Sequence, residues 1–411
     1  MYIAQKRPIF TGSTDQMRAF QQISSLLKRN YCVYCLFQEN GSVFLVEGEE
    51  LVRSGIESIY MKKTGPLCFA MLKSYLFKRY PFSAARHSFP EIRRTLKHMM
   101  QEVRFDIIHI QSNMVHNFPD IDRWLEAVVV DYMDAISLSL ERRYRWTNQL
   151  MEKAAVRGEL GRARKYESYL KECATNGIVP SETDRSHLAP VTIEKLDVVP
   201  NYVDDSLFST DIHNPKKEAI VFTGPLHEPE YVDAAIRLVK NIFPALKLSF
   251  PELECWIAGS NPSAEVRKLA LLEGITLIEE QENVRKHVLK AAACVYPLRF
   301  GYGQKISVLE AAALGCPIVL SHIANEGIEF TSGKEVLLAD TDEQFIFKTR
   351  QMLSNRIRRQ FMAHQAQSFV CTFFSEKQVI DQLVSVYDKA AKQREYYEKN
   401  KHEEKSGIWN L

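Results

Sequence analysis

The residues best suited to chemistry stand together in "GYGQKISVLEAAALGCPIVL", positions 301 to 320. Gly301 and Gly303 let a backbone come close to a ligand. Lys305 puts a positive charge at a helix start, where backbone N–H groups already favour an anion. Arg299, just upstream, offers a second cation. Glu310 lies about a turn and a half inside the helix. A carboxylate there can accept hydrogen bonds from two neighbouring hydroxyls, as on a ribose. The spacing therefore describes a seat for a phosphorylated nucleoside. A short glycine loop is a weak motif by itself, and a tight turn with a solvated lysine has the same spacing.

The first half offers fewer candidates. "VVVDYMD" ends a buried strand with Asp131 and Asp134 around Met133. An aspartate at a strand end in a cleft can accept the proton of an incoming hydroxyl. Asp134 is equally well placed to cap the helix that follows, "AISLSLERR". His109 sits in an apolar strand and reads as structural, whereas His116 lies in a loop. Gly12, in "IFTGSTDQ", follows the first strand. Cys32 and Cys35 form the one CxxC among eight scattered cysteines. Residues three apart on a strand face opposite sides, and no second pair completes a zinc site, so the pair reads as structural.

These residues need a frame, and the alternation of segments supplies one. "TDQMRAFQQISSLLKR" has helical spacing, with Met17, Phe20, Ile23 and Leu27 on one side. Short apolar strands follow in "YCVYCLF" and "VFLVEG", then the helix "FPEIRRTLKHMMQEV" and the strands "FDIIHIQ" and "AVVVDYMD". A long polar helix is expected from Leu138 to about Glu172, and Ser181 should cap a helix carrying Asp184 and Arg185. "DIHNPKKE" marks the change to the second half. That half repeats the pattern with "AIVFTG", a helix from Asp233 to Leu248, "LECWIAGS", "ACVYPL" and "PIVLS". Buried strands separated by helices imply mostly parallel sheets, and 411 residues suggest two domains. Ligands of doubly wound folds bind beyond the carboxyl ends of the strands.

Composition narrows the function. Hydrophobic residues make up 45% and charged residues 25%, and the formal net charge is +2. These values describe a soluble globular protein and give no sign of nucleic-acid binding. No apolar run approaches a bilayer span, and the first residues lack the apolar core of a secretion signal, so a cytoplasmic protein is expected. From Met61 to Arg104 ten basic residues face two acidic ones, a net +8, with interleaved aromatic residues. Such a segment can lie on an anionic membrane, a solvated charged surface being the competing reading.

The 301–320 stretch resembles the donor-site signature of GT-B glycosyltransferases, specifically glycosyltransferase family 4. "VVPNYVD", "VFTGPLHEPEYVDAAIRLVKNIFP", "WIAGSNPSAEVRKLA" and "NEGIEFTSGKEVLLAD" extend the resemblance. It is specific over 198 to 345 and loose before 105. It implies an α/β GT-B fold with two Rossmann-like domains facing a central cleft. The acceptor-side domain would be 1–197, with a helix at about 376–400 packing back onto it. The nucleotide-sugar domain would be 198–375, and 401–411 a frayed tail.

The implied activity is retaining transfer of a sugar, of hexose type, from a nucleoside diphosphate sugar to a glycan or polyprenyl-linked acceptor, without a metal or other cofactor. Surface polysaccharide assembly at the inner membrane face is the implied setting. By the same resemblance, Gly12, Gly224, Gly301, Tyr302 and Gly303 line the donor, Lys305 and Arg299 meet its diphosphate, and Glu310 holds its ribose. Asp134 joins Lys305 and Arg299 in catalysis, and Asp131 and His116 face the acceptor. Tyr302 stands where many relatives have glutamate, and Ser307 where others have a second basic residue. These departures leave open a nucleotide-binding relative without turnover, beside an epimerase or hydrolase on the same fold.

Overall fold

The computed structural model describes residues 1–9, 14–39, 42–47, 49, 60–63, 72, 75–76, 80–147, 149–188, 196–209, 218–279, 281–301 and 303–407. The chain folds as two compact units, Met1–Val199 with Ile380–Leu411, and Pro200–Val379.

The first unit holds an eight-stranded sheet. Its strands are β1 (Tyr2–Ile3), β2 (Tyr34–Glu39), β3 (Ser42–Glu47), β4 (Tyr60–Lys63), β5 (Ile107–Gln111), β6 (Ala127–Asp131), β7 (Asn176–Val179) and β8 (Leu196–Val198). The order is β4-β3-β2-β1-β5-β6-β7-β8. β2, β3 and β4 pair antiparallel, and the other pairs are parallel. Strands such as "AVVVD" are buried at every residue because helices cover both faces of a parallel sheet. Cys32 is exposed and Cys35 buried, as expected for residues that do not share a site.

Three local expectations change. The polar helix from Leu138 is two helices, Ile136–Trp146 and Leu150–Cys173, because Thr147 turns to an extended backbone. The helix expected from Asp233 to Leu248 starts at Pro229 and runs to Arg237. It then passes through a π-turn, Leu238–Ile242, before Phe243–Lys247. Pro244 cannot donate a helical hydrogen bond, and the wider turn before it accommodates that gap. The C-terminal helix, Glu376–Gly407, continues past the residue where fraying was expected. Its stretch from Ile380 belongs to the first unit, where Tyr387 Oη lies 2.8 Å from His109 Nδ1 and Lys389 pairs with Asp197 at 3.0 Å.

Within the basic segment at 61–104, residues 64–71, 73–74 and 77–79 fall outside the described residues. Its second half is the helix Pro90–Glu102, whose Ile92 and Leu96 enter the core while Arg93 and Lys97 pair with Asp120. Just before it, His87 is buried and accepts a hydrogen bond from Arg86 Nε at 3.1 Å. Burial, helped by Arg86, pulls the His87 imidazole down to about 3. The unfolded chain takes up that proton near pH 6.5. Stability should therefore fall as pH drops from about 6.5 to about 3, with a slope near 1.4 kcal/mol per pH unit from this residue. Urea unfolding of wild type and His87→Gln at pH 7, 5 and 4 checks this. A slope unchanged by the substitution would contradict it.

The second unit holds a six-stranded, wholly parallel sheet. Its strands are β9 (Ala219–Thr223), β10 (Glu254–Ala258), β11 (Ile275–Ile278), β12 (Ala293–Tyr296), β13 (Ile318–Leu320) and β14 (Leu337–Leu338), in the order β11-β10-β9-β12-β13-β14. The chain order reverses between β9 and β12. A crevice opens at the carboxyl ends of such a pair, and ligands of doubly wound sheets bind there.

Candidate functional site

The loops that leave β9 and β12 carry the residues singled out in the second half. After β9, Gly224 has φ +152°, and a side chain there would stand 2.1 Å from the Tyr231 ring. A side chain on Gly259, after β10, would stand 1.8 Å from the Gly224 carbonyl. Only glycine lets these two loops pack so closely.

After β12 the backbone turns through Gly301 (φ +136°) and Gly303 (φ +66°) and reaches Lys305, the N-cap of the helix Ile306–Ala313. A side chain on Gly301 would sit 3.1 Å from Lys305 Nζ, so this glycine keeps the space the lysine uses. Lys305 is only 5% exposed. Its Nζ lies 3.6 Å from Glu230 Oε1 and 5.6 Å from the centre of the Tyr231 ring. Arg299 forks onto Asp233, with Nε 2.9 Å from Oδ2 and Nη2 on Oδ1. One helix, Pro229–Arg237, thus supplies a carboxylate to each candidate phosphate cation.

Glu310 projects from the next turns of the helix at 32% exposure, its Oε1 4.0 Å from Arg285. Burial pushes its carboxyl above the ordinary range. Arg285 pulls the other way, and Asp204 adds to the rise. Ser307 approaches Tyr231 Oη at 3.5 Å, and its carbonyl accepts from Tyr296 Oη at 2.8 Å.

Sequence reasoning passed over Gln304. Its buried amide accepts from Asn201 N at 2.8 Å and donates to Gly327 O at 3.0 Å. It therefore ties "PNYVD" and "NEGIEF" to the glycine loop. A polar residue inside an otherwise special loop is the signal that could have found it, since a buried amide must find both partners. Gly12 and Tyr302 lie outside the described residues.

The first-unit candidates do not form one open group. Asp131 is fully buried. Its Oδ2 meets Arg18 Nε at 2.7 Å, Gln22 Nε2 at 3.4 Å and His109 Nε2 at 3.6 Å, and its Oδ1 accepts from Met133 N at 3.1 Å. Burial alone would push the carboxyl up. Arg18 and His109 outweigh it and hold Asp131 well below the usual carboxylate range.

Asp134 is half-buried and does not cap the next helix. That N-cap is Ala135, whose amide goes to Asp184 Oδ1 at 3.0 Å. His116 is buried in a 3-10 turn, Ser112–Asn117, rather than on an open loop, with Nε2 2.9 Å from Ser88 Oγ. His109 stacks on Tyr2 at 4.2 Å. Among the described residues no cluster of histidine, cysteine or carboxylates is arranged to hold a metal.

Residues 217–355 match the family described as glycosyl transferases group 1. No curated protein matches the chain in sequence. In structure the chain is similar to sucrose-phosphate synthase from Thermosynechococcus elongatus, with a TM-score of 0.70 at 13% identity over 94% of this chain and 98% of that one. A glycosyltransferase from Rickettsia africae superposes with a TM-score of 0.62 at 12% identity, over 95% and 98% of the two chains. HepE of Anabaena, in complex with UDP and glucose, gives 0.56 at 12% identity over 72% and 81%. Two sheets of this order and these likenesses give the chain a GT-B fold, and residues 217–355 of its second unit match the glycosyl transferases group 1 family.

Proposed function

We propose that the protein transfers a sugar from a nucleoside diphosphate sugar to a glycan or lipid-linked acceptor, with retention of configuration, in surface polysaccharide biosynthesis. One observation carries the reading. Lys305 is buried at a helix start at the switch point of the second sheet, with Glu310 about a turn and a half further on. HepE, similar in fold, binds UDP and glucose, which supports a nucleotide-sugar donor.

On this reading the amides around Gly301 and Gly303, together with Lys305 and Arg299, receive the diphosphate. Stabilising the charge that develops on the leaving group is then the main catalytic contribution. Gly12, Gly224 and Tyr302 complete the donor side, Glu310 holds the ribose, Asp134 joins Lys305 and Arg299 in catalysis, and Asp131 and His116 belong to the acceptor side. No metal takes part, so transfer should survive excess EDTA. The acceptor is reached at the cytoplasmic membrane face, with contact through 61–104.

A second reading has its own support. Lys305 and Arg299 are already matched by Glu230 and Asp233, so a bound diphosphate competes with internal carboxylates. A protein that binds nucleotide without turnover fits that balance.

A panel of UDP-, GDP-, ADP- and CMP-sugars separates the two readings, with binding read by thermal shift and turnover by nucleotide release in the presence of acceptors. Stabilisation by none of them would remove the donor site. Glu310→Ala should weaken nucleotide binding by about 1–3 kcal/mol, the range for a lost hydrogen bond to a charged group. Calorimetric titration of the folded variant checks this, and an unchanged affinity would count against Glu310.

A further inference from the structure

The helices Ile136–Trp146 and Leu150–Cys173 form an antiparallel hairpin in the first unit. Arg164 meets Glu141 at 2.7 Å, and Ser137 N donates to Glu167 Oε1 at 2.8 Å. The tip is braced. Glu152 accepts from Arg143 at 3.0 Å and from Thr147 Oγ1 at 2.7 Å, and Lys153 stands 5.1 Å over the Tyr144 ring. On this fixed tip Trp146, Leu150 and Met151 are exposed at 45%, 84% and 89%. Between Arg142 and Arg157 there are five basic residues and one acidic one, a net +4.

Two more facts give the tip a direction and an extent. The second helix has 24 residues and ends at Cys173, just before β7 starts at Asn176. It is about 36 Å long, whereas a five-residue strand spans about 17 Å. Its other end, with Leu150 and Met151, therefore projects well past the carboxyl ends of the strands. Met151, Ala155, Gly158 and Arg162 follow one helical stripe, the first three exposed. At its far end Phe82 N donates to Glu159 Oε2 at 2.8 Å, and the Phe82 side chain is exposed as well.

We infer that the hairpin tip is a membrane-docking surface for anionic lipid. Trp146 would sit at headgroup level, Leu150 and Met151 would enter the acyl boundary, and the surrounding arginines and lysine would meet lipid phosphates. Charge complementarity selects this occupant. A second copy in an isologous contact would press two tips of net +4 together. A nucleic acid would use the cations but would leave Leu150 and Met151 without an apolar partner. A tip held on the bilayer beside the carboxyl ends of the first sheet places the acceptor side where a lipid-linked sugar would arrive. The docking itself does not depend on the donor-site reading, because vesicle binding and nucleotide binding are measured separately.

The test is sedimentation of the whole protein with extruded vesicles of phosphatidylcholine alone or mixed with phosphatidylglycerol. Binding is expected only with the anionic vesicles, weaker in high salt, with a blue shift of tryptophan fluorescence that Trp146→Phe removes. Leu150→Glu with Met151→Glu should lower the bound fraction by about tenfold or more, because two apolar anchors are lost. Both side chains are exposed, so the melting temperature and nucleotide binding should not move. Failure to bind anionic vesicles, or binding that survives the double substitution, would overturn the inference. Concentration-dependent self-association abolished by the same substitutions would overturn it too, by assigning the tip to a second copy. RNA binding that the substitutions leave intact while vesicle binding is absent would do the same in favour of nucleic acid.

Discussion

Replacing Lys305 by methionine should lower sugar transfer by about 10²–10³ in kcat and also destabilise the second unit by about 3–5 kcal/mol, the range for leaving one partner of a buried ion pair alone. Lys305 and Glu230 are both nearly buried, with 3.6 Å between Nζ and Oε1. Removal of the lysine strands the Glu230 carboxylate beside Tyr231. The two consequences separate in a double variant. Lys305→Met with Glu230→Gln removes both charges, and replacing a buried pair outright is often neutral. Stability should then return towards wild type, while transfer stays down by about 10²–10³ in kcat because, on the proposed reading, the donor phosphates still lack their cation. Urea unfolding and nucleotide release measure the two effects independently. Transfer within a few-fold of wild type in the double variant would show that Lys305 is a structural cation and would move the donor phosphates elsewhere.

Asp131→Asn should cost the first unit about 3–5 kcal/mol at pH 7, because it leaves Arg18 buried opposite a neutral amide. Native Asp131 is held well below the usual carboxylate range, so the unfolded chain takes up this proton first as pH falls. The stabilisation is complete above the ordinary aspartate value of about 4 and is lost progressively below it. The gap between wild type and Asp131→Asn should therefore narrow below pH 4 while staying constant from 5 to 8. Denaturant midpoints over that range test the sign. A gap that widens on acidification would mean that Arg18 is not what holds Asp131 ionised. The same variant bears on the acceptor side. An unstable protein with normal affinity for acceptor would leave Asp131 a structural role alone.

Particular residues show where reading the sequence stopped. In the helix Thr14–Lys28, helical spacing puts Met17, Phe20, Ile23 and Leu27 on one side, yet Met17, Phe20 and Leu27 are only half-buried. The helix buries Arg18, Gln22 and Ser25 alongside Ile23 and Leu26. Periodicity ranks side chains by hydrophobicity and cannot anticipate a polar face satisfied by a carboxylate 113 positions away. Gln304 is the same case in the second unit, because its partners Asn201 and Gly327 come from distant segments. The break at Thr147 also escaped notice, since nothing apolar or proline-rich marks it. Hydrogen bonds across the turn to Glu152 decide it.

The sequence by itself determined the alternation of buried strands and helices, the parallel sheets that follow from it, and the glycine–lysine–glutamate spacing at 301–310. Those features are local. Strand burial on both faces, the freedom of glycine and the N–H groups of a helix start act within a few residues. Only the tertiary structure decided which charges meet. It gave Lys305 to Glu230, Arg299 to Asp233 and Asp131 to Arg18, and it set Glu310 in surroundings that raise its carboxyl. The reason is that Coulomb energy and desolvation depend on distance and burial in space, and spacing along the chain carries neither.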